Sequence, residues 1–168
     1  MAFADDLLEQ AYHLATRERR KPRQASLRRA VSTAYYSIFH LLISEATRNW
    51  KGVRQRDALA RVFEHGKMKS ACQRKVGELT VYLASKPKAS PKVAIAQHLW
   101  IVATTFIEAQ QKRHAADYDN SRDWTRITVM NQIASVSNAF DSWRVIRKEQ
   151  APQAFLVTLF GGKGPGKV

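Results

Sequence analysis

Apolar residues recur at helical spacing through most of the chain, and few breaks interrupt them. Glycine and proline are bunched, and the long intervals between them are rich in Ala, Leu, Gln, Glu, Arg and Lys, which favour helix. The pattern therefore predicts an all-α protein. The predicted helices cover residues 3–19, 26–49, 54–65, 68–85, 91–116, 123–148 and 152–160.

The second and fifth predicted helices carry the most apolar surface. In the second helix Ser26 is a candidate N-cap, and apolar residues from Leu27 to Ile43 recur at helical spacing and form a wide face. The fifth is apolar on most sides, which predicts a central position. Breaks are expected at residues 20–23, 86–91 and 116–121.

A chain of 168 residues falls in the usual range for one domain, so we expect a single helical domain over residues 1–160. Residues 161–168 are predicted to be a flexible Gly/Lys tail. The tail fits the spacing of a phosphate-binding P-loop, but Val168 stands where a Ser or Thr hydroxyl would reach magnesium. Nucleotide binding is therefore not expected there.

The chain is strongly basic, with 28 Lys and Arg against 14 Asp and Glu and a formal net charge of +14. Residues 17–29 hold a net +6 and residues 48–75 a net +7, so the charge is concentrated in two segments. A solvated helix face is one explanation; a polyanionic partner, either nucleic acid or an anionic membrane surface, is the other. The candidate nucleic-acid contacts in these segments are Arg28, Arg29, Arg54 and Arg56.

No metal ion or other cofactor is expected. The single Cys72 excludes a multi-cysteine site and is expected to be a buried small residue, and the five histidines never fall at i, i+4 spacing. Residues 117–128 begin like a calcium loop but have Arg122 at the required glycine position. The first residues do not resemble a secretory signal, and no apolar run is long enough to span a membrane, so a cytoplasmic protein without membrane association is expected.

Two short motifs combine cationic, aromatic and acidic residues. Residues 28–40 include an Ala-Tyr-Tyr sequence. Tyr36 of that sequence and His40, four residues later, share one helix face, and both are candidate nucleic-acid contacts. Residues 113–119, which begin with Arg113, lie where the long apolar helix ends in a turn. The simpler interpretation is a half-buried helix edge for the first motif and a C-terminal cap for the second.

An Ala-Tyr-Tyr helix followed by Arg-x-x-Ala-Asp-Tyr at the end of a long apolar helix resembles the HEPN family. The resemblance implies an up-and-down bundle of four to five long helices with short accessory helices. It also implies a homodimer with its functional groove at the dimer interface. Many members are metal-independent endoribonucleases of toxin–antitoxin or defence systems paired with a nucleotidyltransferase, and others only bind RNA or protein partners.

The family's nuclease motif is an arginine followed by four to six residues and then a histidine. Arg113 matches the arginine, but Tyr118, Asp119 and Asn120 stand at the three histidine positions, so enzymatic activity stays open. RNA cleavage without metal needs a base for the 2′-hydroxyl and a fixed cation for the charge on phosphorus. The candidate catalytic residues are Arg113 as the cation, Asp117 as a weak base or as the group that orients Arg113, Tyr118, and the adjacent His114. The alternative is a non-catalytic module that binds an antitoxin or nucleotidyltransferase.

Overall fold

A computed structural model describes residues 2–48, 52–85 and 89–160, and these residues form helices and loops without any strand. The all-α prediction is confirmed. None of the described helices is long and apolar enough to cross a membrane. The helices are α1 Ala2–Thr16, α2 Gln24–Thr47, α3 Val53–Ala60, α4 His65–Ser85, α5 Pro91–Tyr118, α6 Arg126–Ile146 and α7 Gln150–Thr158.

Each predicted helix is present, but two boundaries matter for the site. Helix α2 begins at Gln24, so Ser26 lies inside it and its hydroxyl donates to Glu18 Oε1 at 2.8 Å; the N-cap prediction is wrong. Helix α5 continues through Tyr118, two residues beyond its predicted end. Asp117 therefore lies on the helix, one turn after Arg113, and not in the following loop.

Helix α3 ends at Ala60, five residues before its predicted end. A turn follows, in which the Val62 amide donates to the Leu59 carbonyl at 3.0 Å. This turn allows Phe63 to be buried, with its ring centroid 4.4 Å from that of Phe160. The predicted break at 86–91 lies partly outside the described residues, and the predicted tail 161–168 lies wholly outside them.

The chain divides into two compact units. The first contains residues 2–41 and Thr105–Phe140, so α1 and parts of α2, α5 and α6 belong to it. Tyr35 of α2 and Phe106 of α5 are fully buried with ring centroids 5.7 Å apart, and burying each contributes about 1.5–3 kcal/mol. Other buried apolar side chains of this unit are Ala11, Ala15, Leu27, Val31, Ile38, Val129, Val136 and Phe140.

The second unit contains the described residues of Leu42–Thr104 and of 141–160. Its largest fully buried side chains include Trp143, Phe155 and Met68. Cys72 is also fully buried, as expected, and burial raises the pKa of its thiol. The prediction of one domain over residues 1–160 stays a prediction.

Candidate functional site

Polar side chains occur at every fourth position along the first part of α2. They are Gln24, Arg28, Ser32 and Tyr36, here called the polar stripe. A spacing of four residues keeps side chains on one face of a helix with 3.6 residues per turn. Each member contacts either the C-terminal part of α5 or the α5–α6 loop, so the stripe fixes that segment of the first unit.

Arg28 holds the end of α5 and the loop after it. Its Nη1 donates to the carbonyls of Ala116 and Asp119, both at 2.9 Å, and its Nη2 donates to the carbonyl of Arg122 at 2.7 Å. The last carbonyls of a helix have no partner within the helix, and a cation there also favours the helix dipole. Arg28 therefore caps the C-terminus of α5 and holds the backbone on both sides of Tyr118.

Gln24 fixes the other end of the same loop. Its Oε1 accepts from the amide of Trp124 at 3.0 Å, and its Nε2 donates to the carbonyl of Trp124 at 2.9 Å. The Trp124 side chain is buried, and the Arg122 guanidinium carbon lies 4.5 Å from its ring centroid. Such a cation–π contact further restricts the loop.

The third and fourth members of the stripe meet Arg113 and Asp117 of α5. Arg113 Nε lies 2.7 Å from Asp117 Oδ2, and the Ser32 hydroxyl donates to Asp117 Oδ1 at 2.5 Å. Arg113 Nη2 donates to the Tyr36 hydroxyl at 3.3 Å, so the guanidinium is held from two sides. We call Ser32, Tyr36, Arg113 and Asp117 the Arg113 cluster.

The guanidinium in this cluster is partly buried, with 21% of the Arg113 side chain and 28% of the Asp117 side chain exposed. Burial by itself lowers the pKa of Arg113, but electrostatic interactions with Tyr36 and Asp117 raise it, and the net direction is upward. The Nε contact is an ion pair without hydrogen-bond alignment, since Nε has no hydrogen-bond partner within the described residues. Arg113 is therefore a permanent, oriented cation at the protein surface.

Tyr118 and His114 lie beside the Arg113 cluster on the same helix. Tyr118 is 66% exposed, and its ring centroid lies 4.9 Å from that of His114. The Arg113 guanidinium carbon is 6.0 Å from the Tyr118 ring centroid and 5.7 Å from that of Tyr36. The predicted catalytic residues Arg113, His114, Asp117 and Tyr118 are thus adjacent, and Tyr36 joins them from α2.

His40 has different surroundings, although it lies one turn after Tyr36. Its ring centroid is 4.9 Å from that of Phe3 and 5.4 Å from that of Phe39, both in edge-on packing. Burial lowers the pKa of His40, so the neutral form is favoured. Within the described contacts His40 belongs to an aromatic group with Phe3 and not to the Arg113 cluster.

The other predicted nucleic-acid contacts are dispersed. Arg29 is exposed on α2, next to the loop-bound Arg28. Arg54 and Arg56 lie on α3 in the second unit, with Arg54 exposed and Arg56 half-buried. Of the four predicted arginines, Arg28 is bound to the α5–α6 loop, Arg29 is exposed on α2, and the other two lie on α3.

Arg126, a residue that the sequence did not single out, holds the α1–α2 loop. Its side chain donates to the carbonyls of Ala15 and Arg19, both at 3.2 Å, and of Glu18. Because Arg126 begins α6 and Gln24 holds Trp124, the α1–α2 and α5–α6 loops lie at the same end of the first unit. The exposed basic residues of these loops form what we call the cationic end. They are Arg17, Arg19, Arg20, Lys21, Arg23 and Arg122.

Chemically, this arrangement offers an oriented cation, two phenol rings and a carboxylate that holds the cation. Asp117 is engaged with Arg113 and Ser32, which favours a positioning role over that of a base. The described residues contain no group of three His, Cys, Asp or Glu side chains that could hold a metal ion. The best match is recognition of a phosphate next to an aromatic group.

Sequence reasoning missed the roles of Ser32 and Arg126. A signal for Ser32 exists, because polar residues every four positions on a helix with a wide apolar face mark a stripe that contacts another polar surface. Arg126 gives no such signal, because its acceptors are backbone carbonyls more than a hundred positions earlier in the chain.

The second unit holds two further features. An apolar cavity of about 400 Å³ lies between α4, α5 and the start of α7, with Leu79, Tyr82 and Leu99 among its lining residues. The buried Glu45 carboxylate accepts a hydrogen bond from Trp143 Nε1 at 3.1 Å. It also forms ion pairs with Arg147 at 3.3 Å and with Arg48 at 3.7 Å. Every oxygen of that carboxylate has a partner, which is typical of a structural ion pair.

Comparison with known proteins gives no matching family model, no matching curated protein and no matching solved structure. Of the features described, the Arg113 cluster with its neighbouring cationic end has the most distinctive chemistry.

Proposed function

We propose that this chain is an RNA-associated, HEPN-like protein that binds RNA at the Arg113 cluster and the cationic end. The observation that carries the proposal is the Arg113 guanidinium. It is held by Asp117 and Tyr36, yet partly exposed, beside the exposed ring of Tyr118. Arginine has five N–H donors in a planar fork, so two contacts do not exhaust its capacity to bind a phosphate.

The charge distribution supports the same partner. Asp117 offsets the charge of Arg113 locally, so long-range attraction has to come from other cations. The cationic end supplies them, because its loops hold six exposed basic residues around the end of α5. A phosphate backbone that follows these loops would release counterions, which makes the affinity depend steeply on salt.

We propose binding without turnover as the principal activity and metal-independent cleavage as its alternative. Cleavage needs a group that accepts the proton of the 2′-hydroxyl. Asp117 is occupied by Arg113 and Ser32, and His40 packs against Phe3, so neither supports a general base at the guanidinium. If the chain is a toxin-type or defence-type nuclease, the exposed His114 is the remaining candidate for the group that accepts this proton.

A homodimer is part of the proposal, because a two-fold axis near α5 would pair two Arg113 guanidinium groups around one phosphate. Light scattering of the purified chain tests this directly.

A protein partner, such as an acidic antitoxin or a nucleotidyltransferase, is the second candidate. The cationic end favours it equally, since acidic side chains can replace phosphates there.

The test is binding of a short fluorescein-labelled single-stranded RNA, followed by anisotropy at salt concentrations from about 50 to 200 mM. Wild-type affinity should fall steeply with salt. Arg113→Ala should weaken binding and lower the salt slope by about 0.7, the value for one lost contact to a single strand. The control is Arg144→Ala, because Arg144 is also ion-paired to an aspartate on its own helix, Asp141, but lies in the second unit.

Three outcomes of the binding test are distinguishable, and a gel assay adds two more. Loss of affinity in Arg113→Ala with near-wild-type affinity in Arg144→Ala supports the proposal. Equal losses in both variants would mean that only total charge matters. Absence of RNA binding at low salt contradicts the proposal and favours the protein partner. Intact RNA on a denaturing gel after long incubation supports binding without turnover; fragments that disappear in Arg113→Ala support cleavage.

A further inference from the structure

The most exposed aromatic side chain next to the Arg113 cluster is Tyr118, at the last position of α5. Two-thirds of it faces solvent, and one side of its ring packs against His114 at a centroid distance of 4.9 Å. Single exposed aromatic residues are common on protein surfaces and need no explanation by themselves. Tyr118 differs from an ordinary exposed aromatic residue because its backbone is held in place and a guanidinium lies beside its ring.

The backbone that carries Tyr118 is held in place. Arg28 binds the carbonyls of Ala116 and Asp119, and the Asp119 amide donates to Ala115 at 3.0 Å. Helix ends usually fray. Here the last turn is capped by a charged side chain from another helix, so the ring is presented from a fixed position. A tyrosine also has few rotatable bonds, so ordering it on binding costs little entropy.

The ring and the guanidinium are spaced for adjacent groups of one strand. The Arg113 guanidinium carbon lies 6.0 Å from the Tyr118 ring centroid. The two side chains are therefore close enough for one strand to place a phosphate at Arg113 and a neighbouring base over Tyr118. A base in a duplex is stacked on both faces and cannot reach the ring.

We propose that Tyr118 is a stacking platform for one unpaired base, and that it makes the site selective for single-stranded RNA over duplex RNA. This inference rests on the proposed RNA binding at the Arg113 cluster. In it, Arg113 holds the phosphate, Tyr118 receives the base, and His114 supports the ring from its packed side. The base identity is not read, because every base has an aromatic face.

The test is a two-by-two cycle between the protein and the RNA. Wild type and Tyr118→Leu are each titrated with a uniform single-stranded RNA and with an abasic strand of the same length and charge. Stacking of one base on an aromatic ring changes affinity by about 5- to 160-fold. We expect Tyr118→Leu to lose that factor with the normal RNA and to bind the abasic strand as wild type does.

Two further variants serve as controls. Tyr118→Phe keeps the ring and should bind like wild type, which separates stacking from the hydroxyl. Tyr12→Leu makes the same change at another exposed tyrosine, 52% exposed on α1, and should leave both affinities unchanged. Circular dichroism of each variant checks that it is folded.

The results separate this inference from the function on which it rests. Equal binding of the normal and abasic strands by wild type, with no effect of Tyr118→Leu, overturns the stacking role and leaves RNA binding intact. Equal affinity of wild type for single-stranded and duplex RNA also overturns it. No binding of any probe at low salt removes the proposed function itself.

Discussion

The stability of an Arg28→Ala variant tests whether Arg28 has a structural role or is available to bind RNA. Arg28 makes three hydrogen bonds to backbone carbonyls, of which the bond to Ala116 is part-buried and the other two are exposed. A hydrogen bond to a charged group contributes about 1.5–3 kcal/mol when sheltered. Because the exposed carbonyls regain water, we expect Arg28→Ala to lower the free energy of unfolding by about 2–4 kcal/mol.

The matched control is the next residue in the chain. Arg29 is exposed and its variant removes the same charge, so Arg29→Ala should change the free energy of unfolding by no more than about 0.5 kcal/mol. Urea unfolding followed by far-ultraviolet circular dichroism measures both. A loss in Arg28→Ala as small as that in Arg29→Ala would refute the capping role and return Arg28 to the candidate RNA contacts.

Three other groups give independent predictions. The Cys72 thiol should react with a disulfide reagent only after unfolding, because burial raises its pKa and blocks access; fast reaction of the native protein would contradict its burial. Since burial lowers the pKa of His40, the unfolded state binds more protons, so stability should fall as the pH drops below about 6.5, and less so in His40→Leu. Glu45→Ala should lower the free energy of unfolding by about 3 kcal/mol, because it removes the buried carboxylate that pairs with Arg147 and accepts from Trp143, whereas Glu78→Ala, at an exposed pair, should cost under about 1 kcal/mol; equal losses on urea unfolding would argue against the buried pair.

The helices could be predicted from the sequence because their signals are local. Runs that are poor in glycine and proline, and apolar residues at helical spacing, depend only on neighbouring positions. The ends of α3 and α5 were less predictable. The turn after α3 depends on the burial of Phe63 beside Phe160, and the last turn of α5 is capped by Arg28 from another helix. Both are tertiary contacts.

The candidate site was predictable in part for the same reason. Arg113 and Asp117 lie four residues apart, so their pairing follows from helix geometry once α5 extends far enough. Sequence alone does not tell which of two adjacent arginines, Arg28 or Arg29, faces the α5–α6 loop. Successive residues on a helix point about 100° apart, and the choice depends on where the loop lies.

Photo-crosslinking reports which residues RNA contacts, and so shows whether RNA binds at the Arg113 cluster. A short single-stranded RNA containing 4-thiouridine is bound, irradiated and digested, and adducts are located by trypsin cleavage and mass spectrometry. Cleavage after Arg113 and Arg122 releases residues 114–122, which contain Tyr118. We expect the principal adduct on this peptide. In Arg113→Ala trypsin cleaves after Lys112 instead, and we expect the corresponding peptide 113–122 to carry no adduct; adducts confined to peptides of the second unit would contradict the proposed site.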